Sequence, residues 1–559
     1  MVAFHEMMQE QHQVFDQNTG WFSVYSSGVT ASRSVTDDDR PRHGVLGPDM
    51  EPVAMTTHCR GPQVGCELDE KGFLVTAPLK FFHSSLLNHA PKRVWDWYSS
   101  PGALTRLTPQ WLTTVVEPPT NGLQPGSRTH LVHGAPWVDA VVSMVPGLKH
   151  LTPVGTSWVA EHTTLGPGVS FTDEMVSGPL ASWEHIHRFV PSGTEETLVC
   201  DEITYEFPGD LREVLRLREE FEEQLERVFR HRSRVVAGDL NFHTDLALSR
   251  PLTIVIAGAS GLVGTQLVAL LTAAGHRVIR LQRRRGESRR LDADRFSWDP
   301  ARHQLDSEVL EDADAVINLA GASIVGVMTE KHRNAIFASR VQTNSTLVAA
   351  MKRTTRAPAS FITASASGFY GHDASPMSLV AESITEDHPS GDDFLAAVCR
   401  QVEGIAREAQ DLGIRTVAMR TGLVLSARGG LLATQLPLYF AGAGGPLGPG
   451  TMWMPWIGLD DLIQLYVWAV THDSITGPLN AVAPTPVQQR EFAEVLGEVI
   501  TRPTRLPTPG WAPALVLGRQ GNRELAMASA RLSAEKALAS GYRFRAETID
   551  EAIRQIFGR

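Results

Sequence analysis

Two hydrophobic rhythms divide this chain. Between about Phe73 and Asp239, short apolar runs are broken by glycines and prolines: Val75–His83, Thr129–Val132, Thr156–Leu165, Ser170–Val176, Ser182–Val190 and Thr197–Phe207. Alternation from Trp183 to Phe189 marks a strand with one buried face. After Gly209, Leu215, Leu217, Phe221, Leu225, Val228 and Phe229 recur near helical spacing. That pattern predicts one long amphipathic helix closing a β-rich α+β domain. From Leu252 the rhythm changes. Buried-type strands at Leu252–Ala257, Asp314–Leu319, Ser360–Thr363 and Arg415–Arg420 are separated by helical stretches, among them Thr329–Lys352 and Asp392–Asp411. This succession predicts an α/β domain on a doubly wound parallel sheet.

The punctuation sets the expected boundaries. Residues 1–70, rich in polar residues, glycine and proline, read as a partly disordered leader. Residues 71–240 form the β-rich domain, 241–251 a linker, 252–500 the α/β domain and 501–559 a C-terminal cap. A length of 559 residues agrees with more than one domain. A net charge of −11 argues against a general nucleic-acid binder. The four cysteines (Cys59, Cys66, Cys200 and Cys399) are too scattered for a disulfide framework. Cys59 and Cys66, even with His58, fit no usual metal spacing, so no metal is expected and a reducing, cytoplasmic setting is. No basic-then-apolar leader opens the sequence, and no apolar run approaches the roughly 20 residues that span a bilayer.

One segment carries most of the chemistry. Between the strand ending at Ala257 and a helix bearing Leu262, Leu267, Leu270 and Leu271, glycines stand at Gly258, Gly261 and Gly264. Such a turn lets backbone approach a dinucleotide pyrophosphate, and the helix N-terminus turns free N–H groups toward it. Gly258, Ser260, Gly261, Leu262, Val263 and Gly264 are therefore expected at the cofactor. The next strand ends in Gln282, Arg283, Arg284 and Arg285, with no acid before Glu287. A carboxylate there would favour NAD, whereas guanidinium groups suit a 2′-phosphate. NADP(H) is thus expected, held by Arg283 and Arg284. Leu319, Ala320 and Gly321 form a small-residue turn for the adenosine ribose and pyrophosphate.

The order of elements in the first domain, with Pro91–Tyr98, the Phe171…Gly178-Pro179…Trp183-Glu184-His185 run and Asp201…Tyr205, resembles the START-like (SRPBCC, polyketide-cyclase-like) fold. The resemblance implies a curved sheet around a long helix, enclosing a cavity for a hydrophobic ligand. His185 and His187 either line that cavity or stand exposed on the strand.

The second part resembles an atypical extended short-chain dehydrogenase/reductase, in the epimerase-family branch labelled nucleoside-diphosphate-sugar epimerase. The resemblance rests on AGASGLVG, WDP at 298–300, INLAGASI, SRVQTN at 339–344, SASGFYG at 365–371, FLAAVCRQVE at 394–403, RTGLVLS at 420–426 and the GGPLGPGTMWMPWIGLDDL run at 444–462. It implies a Rossmann domain, with Arg420 and Gly422 beside the nicotinamide and Arg340 facing the same cleft. The Tyr-x-x-x-Lys pair of working dehydrogenases falls here on Leu395 and Cys399, which supply neither proton nor fixed charge. Tyr370 and Ser365 are the remaining catalytic candidates. Asp460 and Asp461 sit at an expected helix start, where capping accounts for at least one of them.

Three functions follow: an NADP(H)-dependent oxidoreductase acting on a small, apolar molecule captured by the START-like domain; an NADPH-binding sensor or scaffold without turnover; and a nucleoside-diphosphate-sugar epimerase. The expected partner is a small-molecule substrate or hydrophobic ligand, and the sequence leaves the oligomeric state open.

Overall fold

The computed structural model describes residues 66–68, 74–76, 78–135, 138, 154–208, 211–374, 383–504 and 506–559. The expected leader, apart from residues 66–68, and Cys59 with it, lies outside the described residues. Residues 63–559 form one compact unit.

Seven strands build the first sheet: β1 (Leu79–Leu87), β2 (Thr113–Glu117), β3 (Arg128–Gly134), β4 (Gly155–Gly166), β5 (Ser170–Ser177), β6 (Ser182–Pro191) and β7 (Thr197–Glu206). They run antiparallel in the order β1-β7-β6-β5-β4-β3-β2. Period-2 patterning decides which face closes. On β7, Thr197, Val199, Asp201, Ile203 and Tyr205 are buried while their neighbours are less so. Helices α1 (Pro91–Tyr98) and α2 (Ala103–Leu107) follow β1, and α3 (Leu211–Asp245) crosses the inner face. There Phe229 meets Phe81 with ring centroids 5.6 Å apart.

The long helix runs further than its sequence pattern suggested. It continues to Asp245 through half of the expected linker, because Phe242 and Leu246 are buried in the core of the following α/β part. The apolar burial of the helix's own last turn replaces a free tether.

The second sheet contains β8 (Thr253–Ala257), β9 (Arg277–Arg283), β10 (Arg289–Arg290), β11 (Arg295–Trp298), β12 (Ala315–Asn318), β13 (Ser360–Ala366), β14 (Arg415–Thr421) and β15 (Gly477–Ala481). Its order is β10-β11-β9-β8-β12-β13-β14-β15, parallel except for the short β10. Helices α4 (Leu262–Ala273), α5 (Glu330–Met351) and α6 (Phe394–Arg407) alternate with its strands. The chain therefore leaves β8 in one direction and returns on its other side at β12. Ligands of such sheets bind at this reversal, beyond the carboxyl ends of the strands.

Both halves meet around Arg106 of α2. Its buried guanidinium bonds Asp239 of α3, Gln266 of α4 and Asp460 of helix α7 (Leu459–Thr471) at 2.8–2.9 Å. Asp460 thus serves an ion pair rather than the helix cap, which is Gly458 with no side-chain hydrogen bond. Asp461 instead accepts the backbone N–H groups of Arg545 and Ala546 and the Tyr542 hydroxyl. A Cβ at Gly102 would lie 2.0 Å from Ala269 O, so α2 and α4 pack backbone to backbone.

Candidate cofactor and active site

The glycine turn lies at the reversal point and explains its own composition. Gly258 has φ +82°, and a Cβ on it would come 2.7 Å from Leu319 C and 2.8 Å from Ala320 N. A Cβ on Gly264 would stand 2.2 Å from Gly258 O. Only glycine permits both approaches. Ser260 and Gly261 are exposed, and Gly261 is the N-cap of α4 with no side-chain hydrogen bond. The first N–H groups of α4 therefore have no capping side chain, as an anion site requires. Leu262 and Val263 pack onto the core and fix the helix start.

Arg283 closes β9 and Arg284 follows, its N–H bonding Trp298 O at 3.0 Å. Both are exposed, and no described carboxylate pairs with either. Arg290, further along the run, differs: it lies over Phe296 and 3.7 Å from Glu308. Across the turn, Asn318 Oδ1 accepts the Ala320 N–H at 3.1 Å. Arg340 of α5 donates to Ala322 O at 2.9 Å, and a Cβ on Gly321 would meet its Cζ at 3.0 Å. Burial lowers the pKa of Arg340. The side chain braces the 320–322 turn.

A buried network lies under the expected catalytic end of the sheet. Ser365 Oγ donates to Glu403 Oε1 at 2.7 Å, and Glu403 accepts two hydrogen bonds from Arg420, both 3.0 Å. Arg420 donates further to the Tyr370 hydroxyl at 2.9 Å, and that hydroxyl donates to Asn480 Oδ1 at 2.6 Å. Tyr370 is 3% exposed, and burial pushes its pKa up to about 12. Arg420 is equally enclosed at 4% and lies 3.4 Å from the centroid of the Phe369 ring. Burial opposes its charge, but Glu403 outweighs that and raises its pKa. The protons of Tyr370 and Ser365 are thus both engaged, and the Arg420 side chain faces protein. Gly422 has a packing reason of its own: a Cβ there would lie 2.2 Å from Pro455 O.

The two positions that depart from Tyr-x-x-x-Lys lie on the same wall. Leu395 and Cys399 of α6 are buried, Leu395 against Gly368, and burial pushes the Cys399 thiol up to about 11. The sequence reading passed over a third group. His372, just beyond the 3₁₀ turn after β13, has a side chain 31% exposed, and its Nδ1 lies 3.1 Å from Asp393 Oδ2. Asp393 also caps α6 and holds the His372 N–H at 2.8 Å. The His372 carbonyl accepts from Ser529 of the C-terminal segment at 2.9 Å. A GHD tripeptide after the strand was the available signal; the partner Asp393 became apparent only when the chain folded back.

The chain is similar to several known proteins. Residues 254–481 match the NAD dependent epimerase/dehydratase family, and residues 508–556 match a domain of unknown function, DUF1731. An epimerase family protein of Mycobacterium leprae is 33% identical over 310 residues, 55% of this chain and 95% of that protein. The chain belongs to the epimerase family. A solved structure of the nucleoside-diphosphate sugar epimerase from Corynebacterium glutamicum is 31% identical to this family member, with a TM-score of 0.67, covering 86% of this chain and 90% of that one. The structure of human epimerase family protein SDR39U1 (isoform 2) with NADPH is 27% identical, with a TM-score of 0.48, over 55% of this chain and 99% of that one. No described helix of this epimerase-family chain is long and apolar enough to cross a membrane.

Proposed function

We propose that this epimerase-family protein is an NADP(H)-dependent oxidoreductase acting on a small, apolar or conjugated molecule captured by a START-like domain at residues 71–240. The cofactor is NADP(H). The observation that carries this reading is the pair of unengaged guanidinium groups, Arg283 and Arg284, next to an uncapped helix N-terminus behind Gly258 and Gly264. A 2′-phosphate answers the first feature and a pyrophosphate the second. When bound, the cofactor supplies or accepts a hydride. Gly258, Ser260, Gly261, Gly264 and the 319–321 turn hold it, and Arg340 stiffens that turn.

Ser365, at the carboxyl end of β13, orients the substrate while Glu403 fixes its hydroxyl. His372, partly exposed and backed by Asp393, moves the proton. Tyr370 and Arg420 act as positioning residues that keep Glu403 aligned. The test is a titration of purified protein with NADPH and NADH, followed by absorbance with a panel of carbonyl and enone compounds. Tighter NADPH binding and consumption of NADPH support the reading; preference for NADH overturns the arginine argument.

A second reading is a sensor that binds NADPH without turnover. It is favoured by the engaged protons of Ser365 and Tyr370 and by Leu395 and Cys399 in place of the usual pair. Tight binding with no consumption across the panel would select it. A sugar-nucleotide epimerase, the activity named for the Corynebacterium glutamicum relative, needs a proton-moving group of the same kind, and NAD⁺-dependent interconversion of nucleotide sugars is the assay that decides it.

A further inference from the structure

The inner face of the first sheet carries a polar centre where aromatic side chains dominate. His185 and His187 point inward from β6, their side chains 4% and 7% exposed and their rings 3.8 Å apart. Asp201 pairs with His187 across β7, and Asp173 with His185 across β5. On one side, Asp201 Oδ1 lies 3.0 Å from His185 Nε2 and 2.7 Å from His187 Nδ1. On the other, Asp173 Oδ2 lies 3.6 Å from His185 Nδ1 and 3.5 Å from His187 Nε2.

These two sides differ in kind. On the Asp201 side, His185 Nε2 makes a hydrogen bond, whereas His187 Nδ1 is close but lacks hydrogen-bond geometry. The Asp173 distances are too long for good hydrogen bonds, yet they match the ligand-to-ligand edge of a tetrahedral ion with metal–N and metal–O bonds of about 2.1 Å, roughly 3.4 Å. Ligand atoms from Asp173, His185 and His187 all lie within 4.8 Å of one another. Charge points the same way. Among the described residues, no lysine or arginine pairs with Asp173 or Asp201, and buried carboxylates need compensation. Arg232 of α3 lies over the Phe229 ring instead. His162 of β4, opposite Asp173, adds a third imidazole with a buried Nδ1 that has no hydrogen-bond partner.

We propose that Asp173, His185 and His187 bind a divalent first-row transition-metal ion, with Asp201 orienting both imidazoles from behind. Two histidines and one carboxylate suit zinc, iron or cobalt, and a carboxylate behind the ligating histidine is the usual support. Three protein ligands leave a position for water or for an oxygen atom of a molecule held between the sheet and α3.

The test uses the full chain purified without chelator, elemental analysis after zinc loading and dialysis, and cobalt titration read by visible absorbance. About one metal per chain and a saturating cobalt band are expected. Asp173→Asn, His185→Gln and His187→Gln are expected to weaken cobalt at least 100-fold, and Asp201→Asn about 10–100-fold. NADPH binding and circular dichroism report folding in each variant and stand apart from the cofactor proposal. Sub-stoichiometric zinc with no cobalt band in the wild-type chain overturns the site whatever the variants do. So does unchanged cobalt affinity in folded His187→Gln.

Discussion

Arg106 grips Asp239 with two hydrogen bonds of 2.8 Å, Nε to Oδ2 and Nη2 to Oδ1, with both side chains essentially inaccessible to water. The same guanidinium reaches Gln266 of α4 and Asp460, so the helix that begins at the glycine turn is tied to the antiparallel-sheet half.

Removing Arg106 takes the bidentate partner from buried Asp239 and leaves it only the longer contact with Arg545 at 3.3 Å. Arg106→Ala is expected to destabilise the chain by about 3–5 kcal/mol. Arg106→Lys recovers only part of this, because an ammonium cannot reproduce the bidentate fork. Thermal and denaturant unfolding measure both, and a loss below about 1 kcal/mol for the alanine variant would show that the network is dispensable.

Arg283→Ala and Arg284→Ala are each expected to weaken NADPH binding about 10–100-fold while leaving NADH binding nearly unchanged, since each removes a charge-assisted contact to the 2′-phosphate alone. Isothermal titration with both nucleotides separates this from general loss of affinity. Equal weakening of the two would place the arginines elsewhere.

Tyr370→Phe and His372→Gln divide positioning from proton transfer. The first deletes the hydroxyl between Arg420 and Asn480, and a stability loss of about 1–3 kcal/mol with residual turnover is expected. The second leaves stability close to wild type and lowers kcat at least 100-fold with a changed pH profile. Full activity in His372→Gln together with none in a folded Tyr370→Phe would return the proton donor to the tyrosine.

Stability should fall on acidification. Burial depresses His133 to about 4, and His231 and His243 to about 3, all below the ordinary histidine value near 6.5. The unfolded chain therefore binds more protons than the folded one in this window. The contribution of these histidines is full above about pH 6.5 and is lost as pH falls toward 4, by up to about 1.4 kcal/mol per pH unit per site, while Asp461, pushed up to about 7 by burial, contributes in the opposite sense. Denaturant unfolding at pH 7.5, 6.0 and 5.0 follows it, and His231→Phe is expected to flatten the slope. A slope left unchanged by His231→Phe would contradict the burial of that ring.

Local physical chemistry was legible in the sequence wherever a pattern repeats or a residue is irreplaceable. Alternation from Trp183 to Phe189 specified a half-buried strand, and the apolar run before Gly258, with the glycines after it, specified the strand, turn and helix found at 253–273. The absence of an acid after β9 set the charge offered to a cofactor. These depend on neighbours a few residues apart, so spacing alone encodes them.

Tertiary structure decided what spacing cannot. Asp460 looked like a cap and became the partner of Arg106, 354 residues away. Tyr370 looked like a proton donor, but its hydroxyl is engaged by Asn480 and Arg420 from two other strands. His185 and His187, left open between lining a cavity and standing exposed, are buried between two aspartates because β5 and β7 flank β6 in this register. A side chain's chemistry is set by which groups share its desolvated space, and that neighbourhood exists only once distant strands and helices have packed.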